Sequence, residues 1–452
     1  MKSAYTSLCS QALFPLHERL KGHHSVALRK ELEQSQWLPP EQLEAGRVDR
    51  LRHFLVDAGR RVPYYRDLFK RVGFHPQDLR AVSDLAGLPL LSKADIRASV
   101  EALKANGHGP LQRYNTGGSS GEPLIFFMGK GRVSHDVASK WRATRWWDVD
   151  IGDPELVIWG SPIELGAQDR IKQLRDGVFR TALIPAFEMS DGKLDGFVVQ
   201  IVRQKPRMLF GYPSALSHIA RHAARRGVRM DNLGIKVAFV TSERLYDEQR
   251  QAISAAFGCP VANGYGGRDA GFIAHECPAG GMHITAEHII VELIDAQGRN
   301  VPVGQPGEVV VTHLATHDFP FIRYRTGDVA VLDDAPCRCG RGLPMLREIQ
   351  GRTTDFVVAV DGTVMHGLAL IYIVRDLACV RSFKIEQHSL TATTVWLVTD
   401  PGFDPASVRT VADAVKRRLG ESVEVDVRLV DHIPAEKSGK FRYVVSRVAA
   451  PV

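Results

Sequence analysis

The sequence predicts an α/β protein with a large multi-layer N-terminal domain, made of α/β sheets and a β-barrel-like part, and a small α+β lid domain. Short β-rich runs alternate with helical patterns from Pro154 onward, which is typical of sheets with helical crossovers. Alternating strands broken by Gly and Pro follow over 289–333. A compact strand and helix series fills the chain after Gly351. We therefore expect an N-terminal domain at 1–350 and a small mobile C-terminal domain at 351–452.

The first hundred residues are expected to be mostly helical. The segment "RVDRLRHFLVDAGRRV" places Leu51, Phe54, Leu55 and Ala58 on one helical face. The opening "MKSAYTSLCSQALFPLHERL" also predicts a helix rather than a secretion signal, because it has no small-residue cleavage pattern. Apolar segments all fall short of the roughly 18 residues that a bilayer span needs. These observations favour a cytoplasmic protein.

The middle of the chain supplies the predicted sheets. The runs "LVIW" at 156–159 and "VAFV" at 237–240 have strand length, and "SALSHIARHAARR" and "LYDEQRQAISAAF" have helical spacing. Their alternation predicts parallel strands joined by helices. The segments "HIIVELID", "GEVVVTHL" and "GDVAVLDD" alternate apolar and polar residues, which predicts an antiparallel barrel or sandwich section.

Length and composition narrow the possible functions. At 452 residues the chain exceeds the size at which one hydrophobic core stops growing. A net charge of +7 permits an anionic partner such as a nucleotide. The basic residues are spread along the chain, with only short clusters at 221–229 and 416–418, and they form no stripe interleaved with aromatic residues. We therefore expect no nucleic-acid partner.

The stretch "YNTGGSSGEPLIFFMGK", residues 114–130, is either a linker, a simple Gly-rich turn, or a loop that holds phosphate. Its Gly and Ser content favours a linker. The apolar run at 124–128 argues against one, because a run of strand length that buries both faces belongs to a core. The segment alone leaves the turn and the phosphate loop equally open.

Four later stretches bear on that choice. In "NGYGGRDAGFIAHEC", Tyr265 stands among glycines and Asp269 follows, so an aromatic ring and a carboxylate share one loop. In "FIRYRTGDVAVL", Asp328 follows a Thr-Gly turn and can accept the hydroxyl protons of a ribose. The others are "GRTTDFV" and "IPAEKSGKFRYVVS", which contains Lys440. Each alone is a common turn or a solvated charge, so their order carries the information.

This succession resembles the adenylate-forming superfamily of acyl-CoA synthetases and ligases over residues 45–450. The segments "RVPYYRDLFKRVGF", "LPLLSKADIR", "MLFGYPSALSHIA" and "FVTSERL" are similar to the phenylacetate:CoA ligase branch and its relatives in capsule and exopolysaccharide clusters. The resemblance implies a ligase that activates a carboxylic acid with ATP and Mg²⁺ as acyl-AMP, releases pyrophosphate, and passes the acyl group to CoA. The stretch at 114–130 then becomes the phosphate loop.

The resemblance also implies roles for individual residues. The nucleotide-binding set comprises the phosphate loop Thr116, Gly117, Gly118, Ser119, Ser120 and Gly121, the adenine-pocket residues Ser242, Glu243, Asn263, Gly264, Tyr265 and Gly266, the ribose-binding Asp328, and Arg352 at the hinge. Lys440 would be the catalytic lysine that bridges carboxylate and α-phosphate, and Asp269 would ligate Mg²⁺.

Three positions depart from the family pattern. Asp269 stands where Glu is usual, Arg268 replaces a usual Thr or Ser, and Thr354 takes a hinge position that is commonly Asp or Lys, with Asp355 next. These departures put the metal geometry and the domain rotation in question. Leu124 follows the loop's Pro, where many superfamily members carry Lys, as is usual in this branch.

The acyl pocket is expected between "GYPS" and "NGYGG", with Tyr212, Pro213 and Phe239 as candidate walls. Tyr and Phe at such places are more often ordinary core residues. The identity of the acid is open, and the acceptor is CoA or, as the alternative, an amine. The oligomeric state is open as well, with a dimer as one option.

A structural Zn²⁺ site is a separate hypothesis. His275, Cys277, Cys337 and Cys339 form a His-x-Cys and a Cys-x-Cys pair that could close a tetrahedral site, with His283 as an alternative nitrogen ligand. Unpaired buried thiols are the simpler interpretation. Six cysteines in 452 residues are too few for a disulfide scaffold.

Two interpretations from other functional classes stay open at this point. A degenerate, non-catalytic nucleotide-binding protein would explain Arg268 and Thr354, but the chain keeps Asp328, Arg352 and Lys440. A zinc-containing nucleic-acid binder would use the basic charge, but the chain lacks the basic stripe that such proteins carry. ATP:pyrophosphate exchange separates the enzyme from either binder.

Overall fold

The computed structural model describes residues 3–116, 124–159, 170–186, 189, 191–352, 356–375, 377–434 and 442–448. The α-helices are α1 Ala4–Leu8, α2 Phe14–Leu20, α3 Ser25–Ser35, α4 Pro40–Arg61, α5 Pro63–Val72, α6 Lys93–Ala98, α7 Lys130–Arg145, α8 Arg170–Val178, α9 Asp191–Gln204, α10 Pro213–Arg225, α11 Asp247–Phe257, α12 Leu368–Arg375 and α13 Ala406–Leu419. A π-helical segment at Cys9–Leu13 joins α1 to α2, and short 3₁₀ turns occupy Pro76–Asp78 and Val82–Gly87.

The strands are β1 Gln112–Asn115, β2 Ile125–Met128, β3 Glu155–Trp159, β4 Thr181–Pro185, β5 Met208–Gly211, β6 Val237–Thr241, β7 Val261–Gly267, β8 Gly271–Glu276, β9 Met282–Ile284, β10 Ile289–Ile294, β11 Pro306–His313, β12 Tyr324–Asp333, β13 Met345–Arg352, β14 Phe356–Val358, β15 Val364–His366, β16 Val380–Ser389, β17 Ala392–Thr399, β18 Glu424–Leu429 and β19 Val444–Ser446.

One sheet of 11 strands, in the order β10-β11-β12-β13-β9-β8-β7-β6-β5-β3-β4, is formed by strands that lie between residues 155 and 352. Strands β3 to β7 pair in parallel, as the alternation of strands and helices predicts. From β7 onward the neighbouring strands are antiparallel. The antiparallel section expected as a barrel-like part therefore continues the parallel section edge to edge, and the mixed α/β class is confirmed.

The parallel half is buried on both faces. All five residues of β6 are buried, which explains why its sequence is an uninterrupted apolar run. Helices α9, α10 and α11 contribute Leu194, Leu216 and Ile253 to the core on one face. This helical cover is what the crossover connections require.

The N-terminal helices pack against the antiparallel half of the sheet. The predicted apolar face of α4 is buried as expected, with Leu51, Phe54, Leu55 and Ala58 each at most 2% exposed. These residues share one core with Ile289 and Val309 of β10 and β11. Among the described helices, none combines the length and the apolar composition that a bilayer span requires.

Helix α7 is tied to both neighbouring layers by a buried ion pair. Arg142 donates from Nη1 to Glu287 Oε1 at 2.5 Å and to the backbone oxygen of Leu32 at 3.1 Å. Both charged side chains are 1% exposed. The pair joins α3, α7 and the segment that leads into β10, so its loss would leave a charge unpaired in the core.

The described residues after β13 form their own sheets and their own core. Strands β18-β17-β16-β19 form a 4-stranded sheet, and β14 pairs with β15. Val357, Leu370, Leu397 and Val415 belong to a cluster of buried side chains separate from the three clusters formed by residues before Gly351. Gln387 joins the two sheets, since its amide exchanges hydrogen bonds with the backbone of Val358 at 2.7 and 3.0 Å.

Replacing Arg142 with Ala should lower the free energy of unfolding by about 3–5 kcal/mol, because Glu287 would remain charged without its buried partner. Urea denaturation followed by circular dichroism measures this. Arg299→Ala is the matched control, since Arg299 pairs with Asp295 while 74% exposed and should change stability by about 0.2–1 kcal/mol. Equal effects for the two variants would contradict the assignment.

Candidate active site

The carboxyl ends of adjacent parallel strands meet at one edge of the sheet. Gly211, the last residue of β5, pairs with Val240 of β6, and Thr241 pairs with Gly264 of β7. The expected residues Asn263, Gly264, Tyr265 and Gly266 lie within β7 and not in a loop. The ends of β5 and β6 lie beside them, and Tyr212, Pro213, Ser242 and Glu243 follow these strand ends. In open α/β sheets, ligands bind in the crevice outside these strand ends. The structure thus brings most of the expected adenine and acyl residues to one edge.

The end of β6 is held in an unusual backbone conformation. Ser242 has a φ of 72°, in the left-handed region that a side chain other than glycine rarely adopts. The next residue, Glu243, accepts a hydrogen bond from the backbone N–H of Ser214 at 3.2 Å. That N–H belongs to the first turn of α10, where the helix dipole favours a negative charge. The carboxylate therefore fixes the loop against the helix.

One candidate pocket wall, Tyr212, lies against a second aromatic side chain. Tyr212 precedes α10, is 2% exposed, and lies with its ring centroid 4.4 Å from that of Trp159 at the end of β3. Burial raises the pKa of the Tyr212 hydroxyl, and the charge of Glu243 adds to the effect. Pro213 occupies the first turn of the same helix.

Phe239 lies inside the core. It is fully buried beside Phe210 and Ala262. A Cβ atom added to Gly264 would come within 2.7 Å of its ring, so only glycine fits the strand above it. Phe239 supports the loop from below, which is the ordinary core role that its residue type suggests.

The two acids of the candidate site are each held by a tyrosine hydroxyl. Tyr265 donates to Asp328 Oδ2 at 3.0 Å, and Tyr324 donates to Asp269 Oδ2 at 2.6 Å. Asp328 and Arg352 are also Cα register partners in the β12–β13 pair. The structure therefore brings Tyr265 to Asp328 and places Arg352 opposite Asp328 in register, and the role of the three residues in nucleotide binding stays a prediction.

Asp269 lies on the turn where the sheet changes from parallel to antiparallel. Its Oδ1 accepts from the N–H of Ala270 at 3.2 Å. Arg132 of α7, which is 2% exposed, donates to the backbone oxygens of Arg268 at 2.9 Å and of Asp269 at 3.4 Å. The turn is therefore fixed by a buried cation from a distant helix. Sequence reasoning missed both Arg132 and Tyr324.

Arg132 is itself held by a carboxylate. Its Nε donates to both oxygens of Asp136 at 3.0 Å. Burial would raise the pKa of Asp136, but Arg132 together with His135 and His313 outweighs it and holds that pKa well below its usual range. The pair is consequently charged at neutral pH.

His135, Asp136 and His313 have potential ligand atoms within 4.8 Å of one another, but their hydrogen bonds do not suit a metal. The Nδ1 atom of His313 accepts from the N–H of Ala315 at 3.3 Å, so the ring proton sits on Nε2, 3.9 Å from Asp136. Since Arg132 also binds this carboxylate, the cluster supports the Asp269 turn and is not a metal centre.

Arg244 connects the segment that follows β6 to strand β13. Arg244, directly after Glu243, donates from Nη1 to the backbone oxygen of Gln350 at 2.6 Å, and its Nη2 lies 3.7 Å from Glu348. Its guanidinium is 5.3 Å from the ring centroid of Tyr246. Arg244 therefore ties the segment after β6 to the last residues of β13.

The base of the predicted phosphate loop is closed by two hydrogen bonds. The N–H of Thr116 donates to the oxygen of Leu124, and the N–H of Leu124 donates to Thr116 Oγ1, both at 3.0 Å. The segment thus connects paired strands β1 and β2, so the linker interpretation is wrong. The other expected loop residues, Gly117, Gly118, Ser119, Ser120 and Gly121, lie outside the described residues, as do Thr354, Asp355 and Lys440.

Three cysteines and one histidine form a compact cluster at β8, β9 and the 337–339 turn. Potential ligand atoms of Cys277, His283, Cys337 and Cys339 lie within 4.8 Å of one another. The sulfurs of Cys277 and Cys337 are 3.7 Å apart, and Cys339 Sγ is 3.2 Å from His283 Nε2. A Cβ atom at Gly281 would fall 2.6 Å from Cys337 Sγ, so glycine is required beside the cluster.

His283, the alternative nitrogen ligand, replaces His275 in this cluster. The two residues face each other across β8 and β9, but the His275 ring stacks on Phe272, with centroids 5.4 Å apart. Burial lowers the pKa of His275 to about 3, so the ring is neutral. The expectation that His275 joins the cysteines is therefore wrong, because its ring packs into the apolar layer.

The chain is similar to several known proteins. The family described as the CapK C-terminal domain matches residues 357–447. The phenylacetate-coenzyme A ligase of Thermus thermophilus is 26% identical over 333 residues, covering 71% of this chain and 73% of that protein. Protein CapK of Staphylococcus aureus is 22% identical over 389 residues, covering 85% of each chain.

This chain is a relative of the phenylacetate-CoA ligases and of CapK. Its fold is that of the adenylate-forming acyl-CoA ligases. The crystal structure of 2-hydroxyisobutyryl-CoA ligase in the postadenylation state matches it with a TM-score of 0.74 at 21% identity, covering 91% of both chains. The same ligase in the thioesterification state gives a TM-score of 0.60 over the same coverage.

Proposed function

We propose that this relative of the phenylacetate-CoA ligases activates a carboxylic acid with ATP as acyl-AMP, releases pyrophosphate, and transfers the acyl group to CoA. The observation that carries the proposal is that two acids are tied to β7, beside the strand ends where an α/β sheet binds ligands. Asp269, on the turn after β7, accepts from the Tyr324 hydroxyl, and Asp328 accepts from the hydroxyl of Tyr265 in β7. The names of the relatives, which are CoA ligases, support the same reaction.

ATP would lie along the strand ends. Its phosphates would rest on the loop 116–121, which offers backbone N–H groups in place of a P-loop lysine. Its adenine would lie between Ser242–Glu243 and residues 263–266 of β7. Its ribose would lie beside Asp328 and Arg352. Burial raises the pKa of Tyr114, and the nearby charge of Arg268 opposes that shift, which supports a position for the 268–269 turn beside the loop base.

The chemistry needs charge stabilisation more than acid–base catalysis. The substrate carboxylate oxygen attacks the α-phosphorus, and the bond to pyrophosphate breaks. Lys440 would stabilise the negative charge on that transition state. In the second step the thiolate of CoA attacks the acyl carbonyl carbon, and AMP leaves with the electron pair of the broken C–O bond.

Asp269 fits the role of magnesium ligand in its chemistry. Mg²⁺ in such sites takes one or two carboxylates together with phosphate oxygens. The Arg132 contacts fix the backbone of the turn, and Tyr324 orients the carboxylate. Asp269 would hold Mg²⁺ on the phosphates, and the ion would supply positive charge that neutralises them.

We further propose that residues 1–350 and 351–452 are separate domains that turn about the hinge between the two half-reactions. The separate core of the C-terminal elements supports this division. In one pose the second domain would deliver Lys440, and in the other it would admit CoA. Tyr212 and Pro213, with Trp159 as an added wall, would then border the acyl group.

Transfer to an amine is the alternative second step. The activation step is common to both, so ATP:pyrophosphate exchange with a panel of carboxylic acids tests the shared proposal first. Product analysis with CoA and with amines then identifies the acceptor. Absence of exchange with every acid would favour the non-catalytic nucleotide binder.

The cysteine cluster has the chemistry of a structural Zn²⁺ site. Two Zn–S bonds of about 2.3 Å at the tetrahedral angle separate their sulfurs by about 3.8 Å, close to the 3.7 Å between Cys277 and Cys337. The Nδ1 atom of His283 lies 3.3 Å from the backbone oxygen of Leu343. A proton on Nδ1 would leave Nε2 free to bind the metal, as ligating histidines generally require.

We expect about one zinc per chain in protein purified without chelator, because four protein ligands would fill a tetrahedral site. Elemental analysis of the protein and of Cys337→Ser plus Cys339→Ser measures it. Cys259→Ser is the control, since Cys259 is buried elsewhere, and should keep its zinc. Full zinc content in the double variant, or none in the wild type, would contradict the site.

Asp269→Ala should raise the Mg²⁺ concentration that gives half-maximal exchange, with little change in melting temperature. Tyr324→Phe should raise it by about tenfold, since a hydrogen bond to a charged group contributes about 1.5–3 kcal/mol. Tyr5→Phe is the matched control, because Tyr5 donates to the backbone oxygen of Val178, far from the turn. An unfolded Asp269→Ala protein would instead indicate a structural acid.

Lys440→Ala should reduce ATP:pyrophosphate exchange by about 10²- to 10³-fold, because one preorganised charge leaves the transition state. The variant should still consume acyl-adenylate that is supplied ready-made. Lys437→Ala, three residues earlier, serves as the control and should behave like the wild type. Full exchange activity in both variants would show that Lys440 is not a catalytic residue. Equal loss of both half-reactions in Lys440→Ala would contradict the domain rotation.

A further inference from the structure

A contact between the two domains lies three residues beyond Lys440. The ring of Tyr443 meets the ring of Tyr246 edge-on, with centroids 5.6 Å apart and an interplanar angle of 90°. Tyr246 precedes α11 in the larger domain, whereas Tyr443 precedes β19 in the smaller one. We infer that this tyrosine pair positions the C-terminal domain, and with it the Lys440 segment, for the acyl-AMP half-reaction.

Both rings of the pair also contact the core of the smaller domain. Tyr443 packs in its own domain against Phe383, with centroids 5.0 Å apart. Tyr246, although it belongs to the larger domain, packs against the core cluster of the smaller one. The pair is therefore a continuation of the C-terminal core into the surface of the larger domain.

The polar groups around the Tyr443 hydroxyl come from the larger domain. Gln249 accepts from the N–H of Tyr246 at 3.1 Å, and its side chain also hydrogen-bonds Tyr443. Burial raises the pKa of Tyr443, and the field of Glu248 and Glu243 adds to it against the opposing charge of Arg221. A hydroxyl in this setting is neutral, so the pair keeps its contacts across the physiological pH range.

The pair connects the nucleotide loop to the hinge. Tyr246 is three residues beyond Glu243, and Arg244 between them holds the backbone of Gln350. Lys440 precedes Tyr443 by three residues in the sequence. The pair would act on the pose of the C-terminal domain that carries this segment, which makes both tyrosines positioning residues.

The strength of the contact suits a domain that must release. An edge-to-face aromatic pair shifts a two-state equilibrium by about two- to tenfold. Such a bias favours one pose and still allows the other. This inference rests on the proposed two-step reaction, since only a domain that changes pose needs a reversible contact.

The test uses Tyr443→Ala, Tyr246→Ala and the double variant of the full chain. Each single variant should lose about three- to tenfold in ATP:pyrophosphate exchange, with transfer from supplied acyl-adenylate unchanged, because only one pose loses its contact. The double variant should lose no more than the stronger single variant, since both remove the same interaction. Tyr443→Phe, which keeps the ring, should retain most activity.

Tyr64→Ala is the matched control, because Tyr64 forms a similar edge-on pair with Tyr65, at 5.1 Å, inside the larger domain. It should lower stability without separating the two half-reactions. Equal loss of both half-reactions in Tyr443→Ala, or full exchange activity in both single variants, would overturn the inference.

Hydrogen exchange measured by mass spectrometry provides a readout apart from activity. Peptides covering 246–250 and 442–447 should exchange faster in either single variant than in the wild type, while Tyr64→Ala should leave them unchanged. Unchanged hydrogen exchange of these peptides in the single variants would overturn the inference that the tyrosine pair holds the C-terminal domain in this pose. This measurement does not depend on catalysis. If the wild-type protein showed no ATP:pyrophosphate exchange, the proposed function would fail, but hydrogen exchange would still show whether the tyrosine contact holds the two domains together.

Discussion

The buried guanidinium of Arg132 is the interaction on which the candidate site most depends. It joins α7 to the turn where the sheet changes from parallel to antiparallel, and Asp136 keeps its charge compensated. Without that turn, β8 would not fold back on β7, and Asp269 would not face Tyr324 of β12. The acid attributed to metal binding is thus placed by a helix that begins more than 120 residues earlier in the chain.

Sequence reasoning recovered the parts of the fold that local pattern determines. The apolar face of α4 and the buried run of β6 follow from periodicity, and both are as predicted. Tyr265 and Asp328 are 63 positions apart in the sequence, yet their side chains are hydrogen-bonded. Only the resemblance suggested that both belong to one site. Periodicity alone cannot identify the partner of a side chain across a sheet.

The errors and omissions have the same cause. Tyr324 and Arg132 act through contacts that span 55 and 136 residues, and no spacing rule detects these. His275 and His283 are equivalent in strand register, so only the packing of one ring on Phe272 decides which joins the cysteines. The sequence predicts where the strand of Phe239 ends but not to which side its ring points, so it cannot distinguish a pocket wall from a core residue at this position.

The hairpin that carries the glycine-rich loop has a consequence for how this protein can change over evolution. Strands β1 and β2 form a two-stranded sheet apart from the 11-stranded one, and Phe126 alone of the Tyr114–Phe126 stacked pair is deeply buried. The strands that carry the loop thus pair with each other and with no strand of the 11-stranded sheet. Under the proposed function, substitutions between these two strands can change nucleotide affinity without altering the pairing of the main sheet, so selection can act on the ligand without first repairing the fold.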